Sequence, residues 1–347
     1  MDLLSTLNLA HPIIQAPMAG VQDEKLAIAV AHGGGLGSLP CAMLSDEQIM
    51  AQVSEFRQHT QRAPVNLNFF CHSMPSLNQA EQSRWQQLLA PYYQALECHP
   101  SDELGVLRQP FSAQHVAVLE QLRPEVVSFH FGLPEEKQLQ RVKATGAVVL
   151  SSANTLAEAR WLAQNGCDVI IAQGIEAGGH RAMFSSTLAE QGTTAQLCQQ
   201  ILAAKDINVP VIAAGGITQA EHVAHYMRLG VIAVQVGTSY LLCDEATTCA
   251  VHRQALRAEH RQTAITNLYS GRPARGITTS FMQEQGFISD QVPAFPYAGA
   301  KLAPLRAKAQ TLGKDDFTPL WSGTDRSGCH AISATELTRD LAAQVKY

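Results

Sequence analysis

Short apolar runs recur between residues 12 and 238, and each one stops at a polar or glycine-rich turn. Eight of these runs are six to eight residues long, which is typical of strands buried on both faces of a parallel sheet. They cover residues 12–17, 34–40, 65–70, 126–132, 147–152, 168–174, 209–216 and 231–238.

Amphipathic stretches lie between several of these runs. Residues 155–166 and 218–230 are predicted helices, because each opens on a threonine that can cap the helix, Thr155 or Thr218, and closes on glycine. Eight strands that alternate with helices predict an α/β protein, a (β/α)₈ TIM barrel with a small additional helical and loop region that caps the substrate site.

A doubly wound sheet is the competing fold. It requires a dinucleotide fingerprint after an early strand, and the nearest segment is GGGLGS at 33–38. That segment ends on serine and lacks an acidic residue at the expected distance, so the barrel is favoured.

The spacing of the runs also predicts the organisation of the chain. Residues 1–245 are expected to form the barrel, 246–305 a small cap domain, and 306–347 a segment that returns to the barrel. Two gaps are too long for a simple strand–helix unit, and the first of them, 71–125, contains a helical pattern at 83–97 that we expect above the barrel.

Composition narrows the function. The 347 residues are 46% hydrophobic and 16% charged with a formal net charge of −5, so neither nucleic acid nor an anionic membrane is an expected partner. The eight cysteines are scattered without a CxxC pair, and no signal peptide is evident. A cytoplasmic enzyme, monomer or homodimer, is the expectation, with no metal site.

Residues at the carboxyl ends of the predicted strands are small, polar and almost uncharged. They are Pro17, Met18, Ser38, Asn68, His130, Ser151, Ser152, Gln173, Gly215, Gly216, Gly237 and Thr238. Amides and hydroxyls suit a flat neutral heterocycle, whereas magnesium would require carboxylates. Glycine and hydroxyl residues after the seventh and eighth strands predict a phosphate site, because bare backbone N–H groups can approach an anion there.

His180 is the candidate acid–base group. It follows Gly178 and Gly179 in the loop after the sixth strand, and an imidazole exchanges protons near neutral pH. The alternative is a loop histidine that only caps a helix. Glu176 either orients His180 or caps the next helix, and His130 is either a second ligand contact or a packed core residue.

Six segments together form a pattern that reaches over nearly the whole chain. They are HPIIQAPMAG (11–20), VNLNFFCH (65–72), AQGIEAGGHRAMF (172–184), VPVIAAGGI (209–217), VQVGTSYLLCDEA (234–246) and LWSGT (320–324). In these segments the chain resembles the nitronate monooxygenases, formerly called 2-nitropropane dioxygenases, of the bacterial class I type.

The resemblance implies a non-covalently bound FMN, an alkyl nitronate such as propionate 3-nitronate as substrate, and O₂ as co-substrate. The products would be a carbonyl compound and nitrite, formed by way of a flavin semiquinone, with His180 as the catalytic base. The residues implied to bind the cofactor are Met18, Asn68, Gln173, Gly178, Gly179, Gly215, Gly216, Gln235, Val236, Gly237 and Thr238. Substrate contacts are implied for His130, Tyr297 and Lys301.

Two features depart from the family pattern and bear on substrate choice. Ala182 occupies a position where glycine is usual, and residues 298–300 (Ala-Gly-Ala) have only methyl side chains or none. An FMN-dependent NAD(P)H:quinone or enoyl reductase on the same fold is the alternative activity, and a flavin-free phosphate-binding barrel is the alternative from another class.

Overall fold

The computed structural model describes residues 3–101 and 103–345. Its strands are β1 (Ile13–Gln15), β2 (Gly37–Pro40), β3 (Val65–Phe70), β4 (Val126–His130), β5 (Val148–Ala153), β6 (Val169–Gln173), β7 (Gly179–His180), β8 (Val211–Ala214), β9 (Ala233–Val236), β10 (Thr263–Thr266) and β11 (Ala274–Ile277). Its α-helices are α1 (Leu3–Leu7), α2 (Glu24–His32), α3 (Asp46–His59), α4 (Gln79–Ala95), α5 (Ala113–Leu122), α6 (Glu136–Ala144), α7 (Leu156–Gln164), α8 (Thr194–Ala203), α9 (Ala220–Leu229), α10 (Ala250–Arg257), α11 (Ser280–Gln285), α12 (Ala298–Thr311) and α13 (Ala334–Ala342).

Eight parallel strands form the barrel, in the order β1-β9-β8-β6-β5-β4-β3-β2. A parallel bridge between Ile14 and Leu36 joins β1 to the start of β2, and the Leu36 N–H donates to the Ile13 carbonyl at 2.8 Å. All eight predicted strands are present and parallel, so the TIM barrel prediction is confirmed.

The two predicted helices are also present, with one difference in capping. Thr155 caps α7 by accepting the Glu158 N–H. The prediction that Thr218 caps α9 is wrong, because the cap position is Gln219 and the Thr218 hydroxyl donates to Asp325 at 2.7 Å instead.

One end of the barrel is filled and the other is open. Leu3 and Leu7 of α1 pack against inward-facing side chains such as Val126 and Leu150, which closes the amino-terminal end. Ile171 and Ala214 belong to the same apolar cluster and also line the cavity at the carboxyl end, so they form its floor.

A second sheet lies over the open end. It is antiparallel in the order β10-β11-β7, and it pairs His180 with Ala274. The sequence pattern did not predict this sheet, since β7 is only two residues long. A separate apolar cluster packs here, with contributions from Trp85 of α4, Tyr269, and Leu302 of α12.

Within the described parts of the chain, no helix combines the length and apolar character needed to cross a membrane. The same residues contain no group of three histidine, cysteine or acidic side chains arranged to hold a metal ion.

Candidate active site

A large cavity lies at the carboxyl ends of the barrel strands. Its space, counted together with the open solvent at its mouth, is about 1280 Å³. Seven of the eight barrel strands contribute lining residues at their carboxyl ends. The exception is β2. Its Ser38 does not line the cavity, and the Ser38 N–H donates to Gln15 Oε1 at 2.9 Å.

Most of the residues singled out in the sequence lie around this cavity. They are Met18, Asn68, His130, Gln173, Gly178, Gly179, His180, Gly215, Gly216, Gln235, Gly237 and Thr238. Three others do not line it. The Val236 side chain packs in the apolar core, Tyr297 Oη donates to the Pro75 carbonyl at 2.8 Å, and Lys301 Nζ donates to the Ser101 carbonyl at 2.7 Å.

The loop that carries His180 is held by a buried arginine. Arg181 is fully buried, and its guanidinium donates to the carbonyls of Gln173, Gly174 and Ala177. Burial, followed by the nearby Arg275, lowers the pKa of Arg181 to about 9, so the group stays charged at neutral pH. Arg181 therefore fixes the path of the chain from β6 to β7.

Gly178 allows this loop to pass close to another loop. A Cβ at this position would lie 2.5 Å from the Gly323 nitrogen, a distance that real Cβ atoms do not tolerate. The 172–184 and 320–324 segments therefore meet here, and a side chain at position 178 would force them apart.

The backbone of His180 is held from the barrel side. Its carbonyl accepts hydrogen bonds from Gln173 Nε2 at 3.1 Å and from His130 Nε2 at 3.3 Å. His130 thus contacts His180 as well as lining the cavity. Burial lowers the pKa of His130 to about 3, so it is a neutral donor in this bond.

The imidazole of His180 contacts Ser270 from the second sheet side. Ser270 Oγ lies 2.9 Å from His180 Nε2 and 3.1 Å from the Arg272 carbonyl oxygen. A carbonyl only accepts, so we assign the hydroxyl as its donor and His180 Nε2–H as donor to the hydroxyl. This arrangement places the imidazole proton on Nε2 and leaves Nδ1 as the basic nitrogen.

Electrostatics keep His180 neutral. Burial, and after it the charge of Arg108 with smaller contributions from His130, Arg272 and His72, lowers its pKa well below 6.5. Aromatic rings surround the imidazole, with centroids 5.5 Å away for Phe295 and 5.7 Å away for Trp321. His180 is therefore a neutral imidazole beside aromatic rings at the wall of the cavity.

Glycines at the end of β8 line the part of the cavity next to the loop between β6 and β7. Gly215 has φ +119°, and a Cβ there would lie 2.8 Å from Thr194 Oγ1. Beside it, Gln235 presents a side-chain oxygen that is buried and has no hydrogen-bond partner among the described residues. This region combines backbone without side chains at the glycines with an unpaired amide oxygen on Gln235, and both suit a polar ligand.

Two charged residues in the cavity wall were not expected from the strand ends. Asp325 comes from the segment between α12 and α13, and Arg108 comes from the segment between α4 and α5. Burial alone would raise the pKa of Asp325, but hydrogen bonds from Ser327 and Thr218 and the nearby His222 hold it below its usual value. The strand ends are uncharged as predicted, whereas the cavity as a whole is not.

The alternatives for Glu176 are resolved by its contacts. Its carboxylate accepts hydrogen bonds from the N–H and the hydroxyl of Thr194, both at 2.9 Å, at the start of α8. Glu176 therefore caps a helix, and Ser270 is the side chain that orients His180. Ser270 lies in the glycine-rich segment 268–279, where no hydrophobic pattern marks it, and its proximity to His180 depends on the second sheet.

Comparisons with known proteins show the family to which this chain belongs. The sequence model of the nitronate monooxygenase family matches residues 2–344. A nitronate monooxygenase of Paraburkholderia phytofirmans is 35% identical, with 99% of this chain and 94% of the relative covered, and one of Pseudomonas aeruginosa is 34% identical over 98% and 97%.

A solved structure shares the fold and about a third of the sequence. The nitroalkane oxidase of Streptomyces ansochromogenes superimposes with a TM-score of 0.88 at 31% identity, covering 99% of this chain and 97% of the other. The chain therefore belongs to the nitronate monooxygenase family, whose members are flavin-dependent oxidoreductases.

Proposed function

We propose that the protein is an FMN-dependent monooxygenase that oxidises alkyl nitronates with O₂ to a carbonyl compound and nitrite, with His180 as the base toward neutral nitroalkanes. The observation that carries this proposal is the environment of His180. The imidazole is unprotonated, its tautomer is set by Ser270, and it lines the cavity at the open end of the barrel.

The cavity fits FMN by the chemistry of its walls. Gly215 has no room for a side chain and Gly216 has little, so their backbone is exposed and suits a phosphate. The cavity-lining Gln235 has an amide oxygen without a partner among the described residues. Met18, Asn68, Gln173 and the backbone from Gly237 to Thr238 would hold the remainder of the cofactor. FMN, when bound, supplies the electron transfer between substrate and O₂ that no side chain can provide.

His180 removes a proton from the carbon next to the nitro group when the substrate is a neutral nitroalkane. Since Nε2 donates to Ser270, the proton is taken at Nδ1. The bonds from Gln173 and His130 to the His180 carbonyl hold the residue in place during this step.

The charges around His180 favour a substrate that is already an anion. The positive charges of Arg108 and Arg272 disfavour protonation of the imidazole and attract a negative charge beside it. A nitronate, which has lost its proton in solution, meets both conditions, so we propose that it is the better substrate.

We also propose that the region 246–305 acts as a cap, as its sequence pattern predicts. The support is that α12 and Tyr269 pack with α4 in one apolar cluster, and that β10 and β11 form a sheet with β7, which carries His180. Tyr297 and Lys301 would then hold the cap together through their bonds to Pro75 and Ser101, and the predicted contacts of these two residues with substrate would be indirect.

The substitution His180→Asn tests this function. The variant is expected to retain bound FMN and to lose about 10²- to 10⁴-fold in kcat/KM toward nitroethane, the range that general bases contribute. Activity on preformed nitronate should fall much less, since no proton has to be removed. Equal rates for variant and wild type on nitroethane, measured as O₂ consumption and nitrite release, would remove His180 from the reaction.

A further inference from the structure

A carboxylate lies at the loops that follow β8 and β9. Asp325 Oδ2 accepts a hydrogen bond from the Thr218 hydroxyl at 2.7 Å, and Thr218 is the second residue after the glycine turn at the end of β8. On the other side, the Gly323 N–H donates to Thr238 Oγ1 at 2.9 Å, just beyond the end of β9. Since β8 and β9 pair in the barrel, these bonds place the segment that carries Asp325 beside the ends of both strands.

Asp325 lines the cavity and can accept further hydrogen bonds. Its side chain is 32% exposed, and it lines the cavity together with Gly215 and Thr218. Oδ1 accepts the Ser327 N–H at 2.8 Å and Oδ2 accepts the Thr218 hydroxyl, so each oxygen retains acceptor capacity. Burial opposes the charge, but the hydrogen bonds from Ser327 and Thr218 outweigh it and hold the pKa below its usual value. Asp325 is therefore ionised at neutral pH.

The glycine turn has no lysine or arginine beside it in the described part of the cavity wall. Arg108 is the one described lining residue with a permanent positive charge. Its segment is attached at another strand, because the Phe111 N–H donates to the Phe70 carbonyl at the end of β3 at 2.7 Å. That strand pairs with β2 and β4, and not with β8 or β9. A phosphate at Gly215 would therefore lie near a carboxylate without a cation from the wall.

The arginines behind these loops donate to backbone carbonyls. Arg181 donates to carbonyls of the loop after β6, Arg275 Nε donates to the Ile175 carbonyl at 2.8 Å, and the Arg326 guanidinium donates to the Arg261 carbonyl at 2.7 Å. None of these three arginines lines the cavity. The phosphate would thus depend on backbone N–H groups and hydroxyls.

The other titratable groups near Asp325 supply no positive charge at neutral pH. His222 Nδ1 of α9 lies 3.9 Å from Asp325 Oδ2, but it accepts the Thr218 N–H at 3.3 Å, so this nitrogen carries no proton. Burial raises the pKa of Cys329 to about 12, so its thiol is neutral. The Glu176 carboxylate accepts its hydrogen bonds at the start of α8. Asp325 is therefore a negative charge without a cationic partner among these groups.

We propose that Asp325 and the phosphate of bound FMN share one proton, so that binding of the cofactor takes up a proton from solution at neutral and alkaline pH. Two anionic groups held close together disfavour full ionisation of both, and the pair retains a proton that each group alone would lose. A free phosphate monoester loses its second proton near pH 6. This inference rests on the proposed function, because it concerns how the same site holds its cofactor.

The test measures the protons taken up when FMN or riboflavin binds to the full-length, flavin-free chain. Calorimetry in HEPES and in Tris, buffers with different ionisation enthalpies, gives this number at about pH 7.5, where a free phosphate monoester is mostly a dianion. We expect uptake of about 0.5–1 proton per FMN and less than about 0.2 per riboflavin, which lacks the phosphate. In Asp325→Asn the uptake with FMN should fall below about 0.2, because the amide keeps the shape without the charge. Equal uptake by wild type and variant would overturn the proposal.

The pH dependence of the dissociation constant gives a second readout. The wild-type constant for FMN should rise by about 3- to 10-fold per unit above about pH 6.5, because the complex holds one proton more than its free components. The constant of Asp325→Asn should stay level and be lower than that of the wild type by about 5- to 100-fold at about pH 8. Both proteins should bind riboflavin equally, which shows that the variant is folded. Weaker FMN binding by the variant would contradict the proposal, since the carboxylate would then help to hold the cofactor.

Two variants control for net charge and for the neighbouring histidine. Asp340→Asn removes a carboxylate from an exposed side chain of α13 outside the cavity wall, and it should retain the wild-type proton uptake. His222→Gln should retain it as well. Loss of the uptake in His222→Gln, with none in Asp325→Asn, would assign the proton to the imidazole and refute the shared proton.

Failure of this inference can be distinguished from failure of the proposed function. Proton uptake that depends on Asp325, without turnover of any nitronate, would leave the inference standing and refute the proposed reaction. FMN that binds no more tightly than riboflavin to Asp325→Asn would show that the glycine turn holds no phosphate. That result would overturn the inference together with the proposed phosphate site.

Discussion

Replacing Ser270 with alanine tests how His180 is held. The Ser270 hydroxyl accepts from His180 Nε2 at 2.9 Å and donates to the Arg272 carbonyl at 3.1 Å, and the side chain is only 4% exposed. The substitution removes one oxygen, and with it the group that places the imidazole proton on Nε2. Without it, either nitrogen can carry the proton, and only one tautomer presents a base to the substrate.

The magnitude follows from the value of one hydrogen bond between neutral groups. Such a bond contributes about 0.5–1.5 kcal/mol, which corresponds to a loss of about 2- to 13-fold in kcat/KM. The loss should appear with nitroethane, where His180 removes a proton, and should be close to absent with ethyl nitronate, where it does not.

The assay is steady-state O₂ consumption by the flavin-loaded variant with the two substrates side by side. Thr248→Val is the matched control, since it removes another buried hydroxyl, one without a hydrogen-bond partner among the described residues and outside the cavity wall. If Ser270→Ala slowed both substrates equally, or neither, the hydroxyl would not act through the tautomer of His180 and the assignment would be refuted.

Three further predictions concern the loops and the titration of the site. Gly215→Ala should raise the FMN dissociation constant about 5- to 150-fold in a fluorescence titration, because alanine at φ +119° is strained and its Cβ meets Thr194. Gly146→Ala is the control, since Gly146 has φ +96° and open space around it, and this variant should bind FMN normally. Arg181→Met should lower the free energy of unfolding in urea by about 3 kcal/mol or more, because three buried carbonyls lose their donor, while the exposed Arg228→Met should change it little. Since burial and then Arg108 lower the pKa of His180 well below 6.5, kcat/KM for nitroethane, corrected for its own ionisation, should be constant above pH 6.5; a rise between pH 6.5 and 8 would contradict a neutral His180.

The barrel could be predicted because its signal is local. Each strand is a short apolar run that ends at a turn, and the helices between them carry their own caps, as Thr155 does for α7. Once the strands are predicted, most lining residues can be predicted as well, because the carboxyl ends of barrel strands meet at one opening.

The remainder of the site depends on contacts between distant segments. Ser270 reaches His180 only because β7 pairs with β11, and a strand of two residues leaves no periodic pattern in the sequence. Arg108 and Asp325 enter the cavity from irregular segments whose paths are fixed by backbone hydrogen bonds, such as that from Phe111 to Phe70. For the same reason the sequence predicts Thr218 as a helix cap, although its hydroxyl donates to Asp325, 107 positions further along the chain.

The most direct test of the proposed reaction is anaerobic mixing of the purified, FMN-loaded protein with propionate 3-nitronate and, separately, with NADH and NADPH. The account predicts that the yellow absorbance of the flavin falls within the turnover time on adding the nitronate, returns on admitting O₂ with release of nitrite, and is unaffected by either nicotinamide. Rapid bleaching by NADH or NADPH with no response to the nitronate would contradict it and would identify the protein as a reductase.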